Sequence, residues 1–202
     1  MTVYKNIAIS LPGSRELAEL GGIIEDLKWV EDACTKLVDL WKDPQRDALL
    51  LEGMSAAALV RDFRCFSSGV RPRLPSEIVE KAPDAWRKAH QYYKDVRDKH
   101  VAHSVNLLEE NAITATVPES DPSSFEVEVL GFYHQRISPL GLSDAENLRS
   151  LAEGVRLGLE EKKETEMGEL LKKIQEVPVE DLATKDLFAM KSPQLGDERK
   201  RR

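Results

Sequence analysis

The chain has 202 residues, 41% hydrophobic and 32% charged, which supports one ordinary core under a heavily solvated surface. No apolar run approaches the roughly 20 residues needed to span a bilayer, and the opening MTVYKNIAISLPG has no secretory hydrophobic stretch. A net charge of −7 argues against a uniformly nucleic-acid-binding surface, yet residues 61–103 hold ten Lys/Arg against six acids, leaving −11 elsewhere. That +4 segment either focuses a polyanion or consists of ordinary solvated helix faces. Cys34 and Cys65, the two cysteines, both fall in apolar patterns and read as buried, reduced thiols of a cytoplasmic protein.

The expected fold class is mainly α: four to five helices in one domain over 1–185, a short β-hairpin insertion, and a flexible tail over 186–202. Ser14 is expected to cap a first helix with the stripe Leu20, Ile24, Leu27, Val30, Cys34, Leu37 and Trp41, at steps of three and four. Gly21-Gly22 weakens its first turns, so its firm part is expected from Ile23. Asp43-Pro44 reads as cap and first residue of a second helix over 44–67. That helix carries Leu49, Leu50, Met54, Ala57, Ala58, Val60, Phe63 and Phe66 on most of its sides, so it is expected to be the most buried element.

Ser67-Ser68-Gly69 ends that helix, and a short turn near Ile78 precedes Pro83, which can open a third long helix. Its stripe is Trp86, Ala89, Tyr93, Val96, His100 and His103. Residues 112–118 and 125–131 alternate at period two around Asp121-Pro122-Ser123-Ser124, predicting a hairpin over about 112–131. Ser143-x-x-Glu146 reads as a capping box for a fourth helix with Leu148, Leu151, Val155 and Leu159 inward. The charge-dense stretch 160–173 should be solvated, and the tail ending DERKRR disordered.

The chemistry-bearing run is Arg97-Asp98-Lys99-His100-Val101-Ala102-His103. It pairs a permanent cation with a group that titrates near neutrality, the two functions needed to cleave RNA without a metal. A histidine can take the proton from a ribose 2′-OH or return one to the leaving 5′ oxygen. An arginine can hold the scissile phosphate and stabilise transition-state charge, while Asp98 fixes the arginine and Lys99 adds a phosphate contact. In a regular helix Arg97 and His103 lie about 120° apart, and His100 about 60° from Arg97. A joint site therefore needs a long reach by Arg97, a break in the helix, or a second copy of the helix across a two-fold axis. The bland alternative is two core-edge histidines beside a surface arginine.

Arg61 and Arg64 interrupt the second helix as either salt-bridged structural residues or a second row of RNA phosphate contacts. His100 and His103 have helical ligand spacing, with His90 a distant third. No Cys, Asp or Glu completes a convincing set, so neither a metal nor a cofactor is expected.

RDKHVAHS, at the end of a long helix with aromatic residues upstream, resembles the motif of HEPN domains (higher eukaryotes and prokaryotes nucleotide-binding). The family pattern is an arginine, a polar residue, and a histidine four to six residues beyond the arginine, met here by Arg97, Asp98 and His103. The preceding AALVRDFRCFSSGVR is similar to the branch related to bacterial abortive-infection proteins, so the resemblance covers roughly 45–115. It implies a four- to five-helix bundle, commonly dimeric, and a metal-independent endoribonuclease of defence or toxin–antitoxin systems. By the same resemblance Arg97 and His103 are the catalytic pair, Asp98 supports them, and an antitoxin or regulatory protein joins RNA among the partners. Members silenced by adenylylation carry a tyrosine two residues after the histidine. Val105 stands there, so that control is not implied. Other members are non-catalytic modules that bind nucleotide, RNA or a partner protein, the alternative function for this chain.

Overall fold

In the computed structural model, residues 9, 11–67, 73–75, 77–101, 109–116, 129–136, 140–178 and 181 are described. The first helix, α1 (Ser14–Lys42), buries Leu20, Ile24, Leu27, Val30, Cys34 and Leu37 along the expected stripe. Ser14 is its first residue and not its cap. Gly13 holds the cap position at φ +90°, a left-handed conformation that favours glycine, and Ser14 Oγ donates instead to the Leu11 carbonyl at 2.7 Å. Gly21 and Gly22 lie inside an unbroken helix, since burial of the adjoining Leu20, Ile23 and Ile24 outweighs the roughly 1 kcal/mol a helical glycine costs.

The second helix, α2 (Ala48–Phe66), starts later than expected. Asp43 ends α1 and accepts from Gln45 N–H, whereas Asp47 caps α2 by accepting from Leu49 and Leu50 N–H at 2.9 and 3.1 Å. Nor is α2 buried all round: Leu51, Ala58, Leu59 and Phe63 face the core, while Leu49 is 78% exposed and Leu50 and Val60 are also in solvent. The single turn α3 (Glu77–Glu80) and helix α4 (Asp84–Val96) follow, with Pro83 at the α4 cap as its backbone preference allows. Tyr93 and Val96 are buried, and Tyr93 Oη donates to the Asp144 carbonyl at 3.0 Å.

The last helix, α5 (Leu142–Gln175), packs antiparallel on α1: Arg156 forks onto Glu31 at 2.5 and 3.1 Å, Lys28 lies 3.7 Å from Glu160, and Trp41 Nε1 donates to the Leu140 carbonyl. Its cap is Gly141, whose N–H donates to Asp144 Oδ2 at 3.0 Å, so the box expected at Ser143 and Glu146 is displaced. Leu148, Leu151, Val155 and Leu159 are buried as expected, and most of 160–173 is exposed on the same continuous helix. Gly154 lets the Trp86 ring of α4 lie directly on α5, where a Cβ would overlap the ring.

The hairpin is present as β1 (Glu109–Thr116) antiparallel to β2 (Val129–Arg136), with Glu109 opposite Arg136 and Ile113 opposite Phe132. The second strand lies about four residues later than its alternation suggested. Residues 117–128, including the expected turn, and the tail 186–202 lie outside the described residues. The fold is thus mainly helical with one two-stranded hairpin, and no described helix is long and apolar enough to cross a membrane.

Candidate functional site

At Arg97 the backbone of α4 changes pitch. Residues Arg97–Val101 form a π turn, with hydrogen bonds closing over one residue more than in an α-helix. The Arg97 N–H is shared between the Tyr93 and Lys94 carbonyls, which marks the transition. The 120° offset expected for a regular helix therefore does not apply across this segment. The structure supplies the helix break that a joint site would need, but His103 lies outside the described residues and the His100 side chain is not described. Arg97 and Asp98 are the described members of the motif core.

Asp98 Oδ1 lies 3.0 Å from Arg97 Nε, an ion-pair distance, although the buried N–H is not aligned for a hydrogen bond. The guanidinium carbon sits 5.4 Å from the centroid of the Phe63 ring, within cation–π range. These contacts steady Arg97 while its side chain stays partly exposed. Lys99 is exposed on the same π turn.

Arg97 lines a cavity of about 300 Å³ between the end of α2 and the outer face of α4. Phe63 and Phe66 contribute from α2, Arg73 from the segment after it, and His90 and Lys94 from α4. Seven residues separate His90 from Arg97, close to two helical turns, so both fall on nearly the same face of α4. The His90 ring is 4.9 Å from Phe63 and 4.6 Å from Phe66, centroid to centroid, and edge-on to Phe66. Its Nδ1 is buried without a hydrogen-bond partner. Burial first, and the Lys94 charge second, push its pKa below the ordinary value, so the imidazole is neutral at pH 7. The sequence reading weighed His90 only as a remote metal ligand. The signal that marks it is its spacing of four from Lys94 and seven from Arg97.

The two readings of Arg61 and Arg64 now separate. Arg64 forks onto Asp26 of α1 at 2.7 and 2.5 Å, and Arg61 lies 3.9 Å from the same carboxylate with its guanidinium 4.3 Å from the Trp29 ring centroid. Asp26 is buried, so these cations compensate a carboxylate inside the α1–α2 contact. They line no part of the Arg97 cavity.

Two further ionisable groups are buried. Cys34 is a free thiol pushed up to about 12, mainly by desolvation and then by the Asp62 charge, which leaves it unreactive. Desolvation raises the Asp62 carboxyl to about 7, and its Oδ2 has no hydrogen-bond partner. Neither reaches the Arg97 cavity.

No known protein-family pattern matches the chain, and no curated protein or solved structure is significantly similar to it. The functional argument therefore stands on the residues themselves.

Proposed function

We propose that the chain is a metal-independent endoribonuclease of HEPN-like type, with Arg97 holding the scissile phosphate, Asp98 positioning that arginine, and His103 moving protons. The observation that carries this reading is the setting of Arg97. The first residue of the motif begins a π turn, a feature frequent at functional sites, and lines a cavity with two more cations. Arg73 and Lys94 form no ion pair with a described residue, which favours their use for phosphate contacts. The π turn also supports placing this end of α4 at the two-fold axis of a homodimer, where Arg97 of one protomer meets His103 of its partner. A bacterial defence role, with an antitoxin or regulatory protein as partner, belongs to the same proposal and rests on the motif alone.

The test expresses wild type, Arg97→Ala and His103→Ala, follows growth, and sequences RNA ends bearing 2′,3′-cyclic phosphate. Motif-dependent toxicity with such ends, and a loss of something like 10²–10⁴-fold in cleavage for His103→Ala, is the expected outcome. Equal growth and identical RNA ends in all three overturn it. The competing reading, a non-catalytic module that binds nucleotide, RNA or a protein, is favoured by one observation: Arg97 Nε is already buried beside Asp98. RNA binding that depends on Arg97 without any cleavage would establish that alternative.

A further inference from the structure

The charge and shape of the Arg97 cavity define a ligand more closely than the motif does. Arg73, Lys94 and Arg97 bring three cations to its lining and Glu80 brings one carboxylate, an excess of two positive charges. An internal RNA phosphodiester carries one negative charge, whereas a phosphomonoester approaches two near neutral pH, as a phosphorylated side chain does. The rest of the lining is aromatic: Phe63, Phe66 and the neutral His90 ring. Aromatic faces and edges beside cations suit a base joined to a phosphate. The His90 Nδ1, buried and unpartnered, is the kind of polar atom that a ligand hydroxyl or amine satisfies. A volume of about 300 Å³ lies at the lower end for ligand sites and suits one nucleotide better than a strand.

We infer that the cavity between α2 and α4 is a binding site for one nucleotide bearing a terminal phosphomonoester, with the phosphate among Arg73, Lys94 and Arg97 and the base against Phe66 and His90. The nucleotide is either free or the phosphorylated end of an RNA, which share this chemistry. The site does not depend on whether Arg97 and His103 cleave RNA. Apart from Arg97, its residues lie outside the cleavage motif.

The experiment titrates the full chain by calorimetry with adenosine 5′-monophosphate, adenosine, inorganic phosphate and adenosine 3′,5′-cyclic monophosphate. The last keeps the base but carries a single charge on its phosphodiester. The monophosphate should bind at least tenfold tighter than adenosine and the cyclic diester, and its affinity should fall with added salt. Arg73→Glu and Lys94→Glu, each at an exposed position and checked for fold by circular dichroism, should each weaken it tenfold or more. Phe66→Ala should weaken the monophosphate and leave inorganic phosphate unchanged. Titration with a trinucleotide carrying a 5′-phosphate or a 5′-hydroxyl then identifies the source. Phosphate-dependent binding tighter than that of the monophosphate assigns an RNA end, and weaker binding assigns a free nucleotide. Equal affinity for monophosphate and cyclic diester, no binding of the monophosphate, or unchanged affinity in both charge reversals overturns the site. Loss of RNA cleavage with monophosphate binding intact would overturn only the nuclease reading.

Discussion

Replacing Asp62 by Asn removes a carboxyl that the core holds at about 7, against an ordinary value of 3.8. Asp62 is 1% exposed, and burial alone drives the change. Between those two pH values the folded chain keeps a proton that the unfolded chain has lost. The contribution of Asp62 to stability is therefore highest below pH 3.8, falls through this window, and is flat above about 7. Each pH unit of separation corresponds to about 1.4 kcal/mol, so the whole fall amounts to about 4 kcal/mol. Asn has nearly the same shape and no charge at any pH. Urea unfolding of wild type and Asp62→Asn, followed by tryptophan fluorescence from about pH 4 to pH 8, isolates the effect in the difference between the two curves. That difference should move in favour of Asn by about 4 kcal/mol as pH rises. A difference that stays constant with pH would refute the reasoning, because the carboxyl would then titrate alike in both states.

Gly154→Ala should destabilise by about 1–3 kcal/mol in thermal or urea melts, because the added methyl overlaps the Trp86 ring and forces α4 off α5. Arg64→Ala should cost about 2 kcal/mol and leave RNA affinity unchanged; the cost is below that of a fully buried pair because Arg64 is 47% exposed and Arg61 remains near Asp26. Asp47→Ala, which uncaps α2, should lower stability by about 1 kcal/mol in the same assay. Alkylation of Cys34 by iodoacetamide at pH 8 should follow global unfolding, since burial holds the thiol at about 12 in the native state; rapid modification of folded protein would contradict that environment.

The helical core was legible where one periodicity had no competitor. The α1 stripe from Leu20 to Leu37 is buried as read, and the α4 stripe places Tyr93 and Val96 inside. Boundaries failed where two residues of the same chemistry stood close together. Asp43 and Asp47 are both good caps, and the choice fell to Asp47 because α1 runs on to Lys42 and uses Asp43 at its own end. Asp144 displaced the expected Ser143–Glu146 box in the same way. The second strand was misplaced because the alternation of 125–131 is local, whereas register is set across the ladder, where Ile113 meets Phe132. For the site, Arg97 and Asp98 announced themselves by motif. His90 did not: an isolated histidine on an apolar stripe looks like core until the end of α2 brings Phe63 and Phe66 against it. The burial of Asp26 that fixes Arg61 and Arg64 was equally invisible, since an acid inside an apolar stripe reads as surface until its partner helix is placed.

The π turn at Arg97–Val101 gives this chain an unusual response to a change of length. A hydrogen bond that spans one residue too many is, in geometric terms, a one-residue insertion absorbed without breaking the helix. Removing a single residue from this stretch would let the backbone return to the α-helical repeat, with better-formed hydrogen bonds. Each residue beyond it would also be rotated by about 100° relative to Arg97. A frame-preserving deletion here should therefore be tolerated by the helix and still change which side chains follow Arg97 around the axis. Spacing in this segment thus carries information separately from composition, and a sequence that keeps Arg97, Asp98 and His103 but loses one residue between them would keep the motif's letters without its geometry.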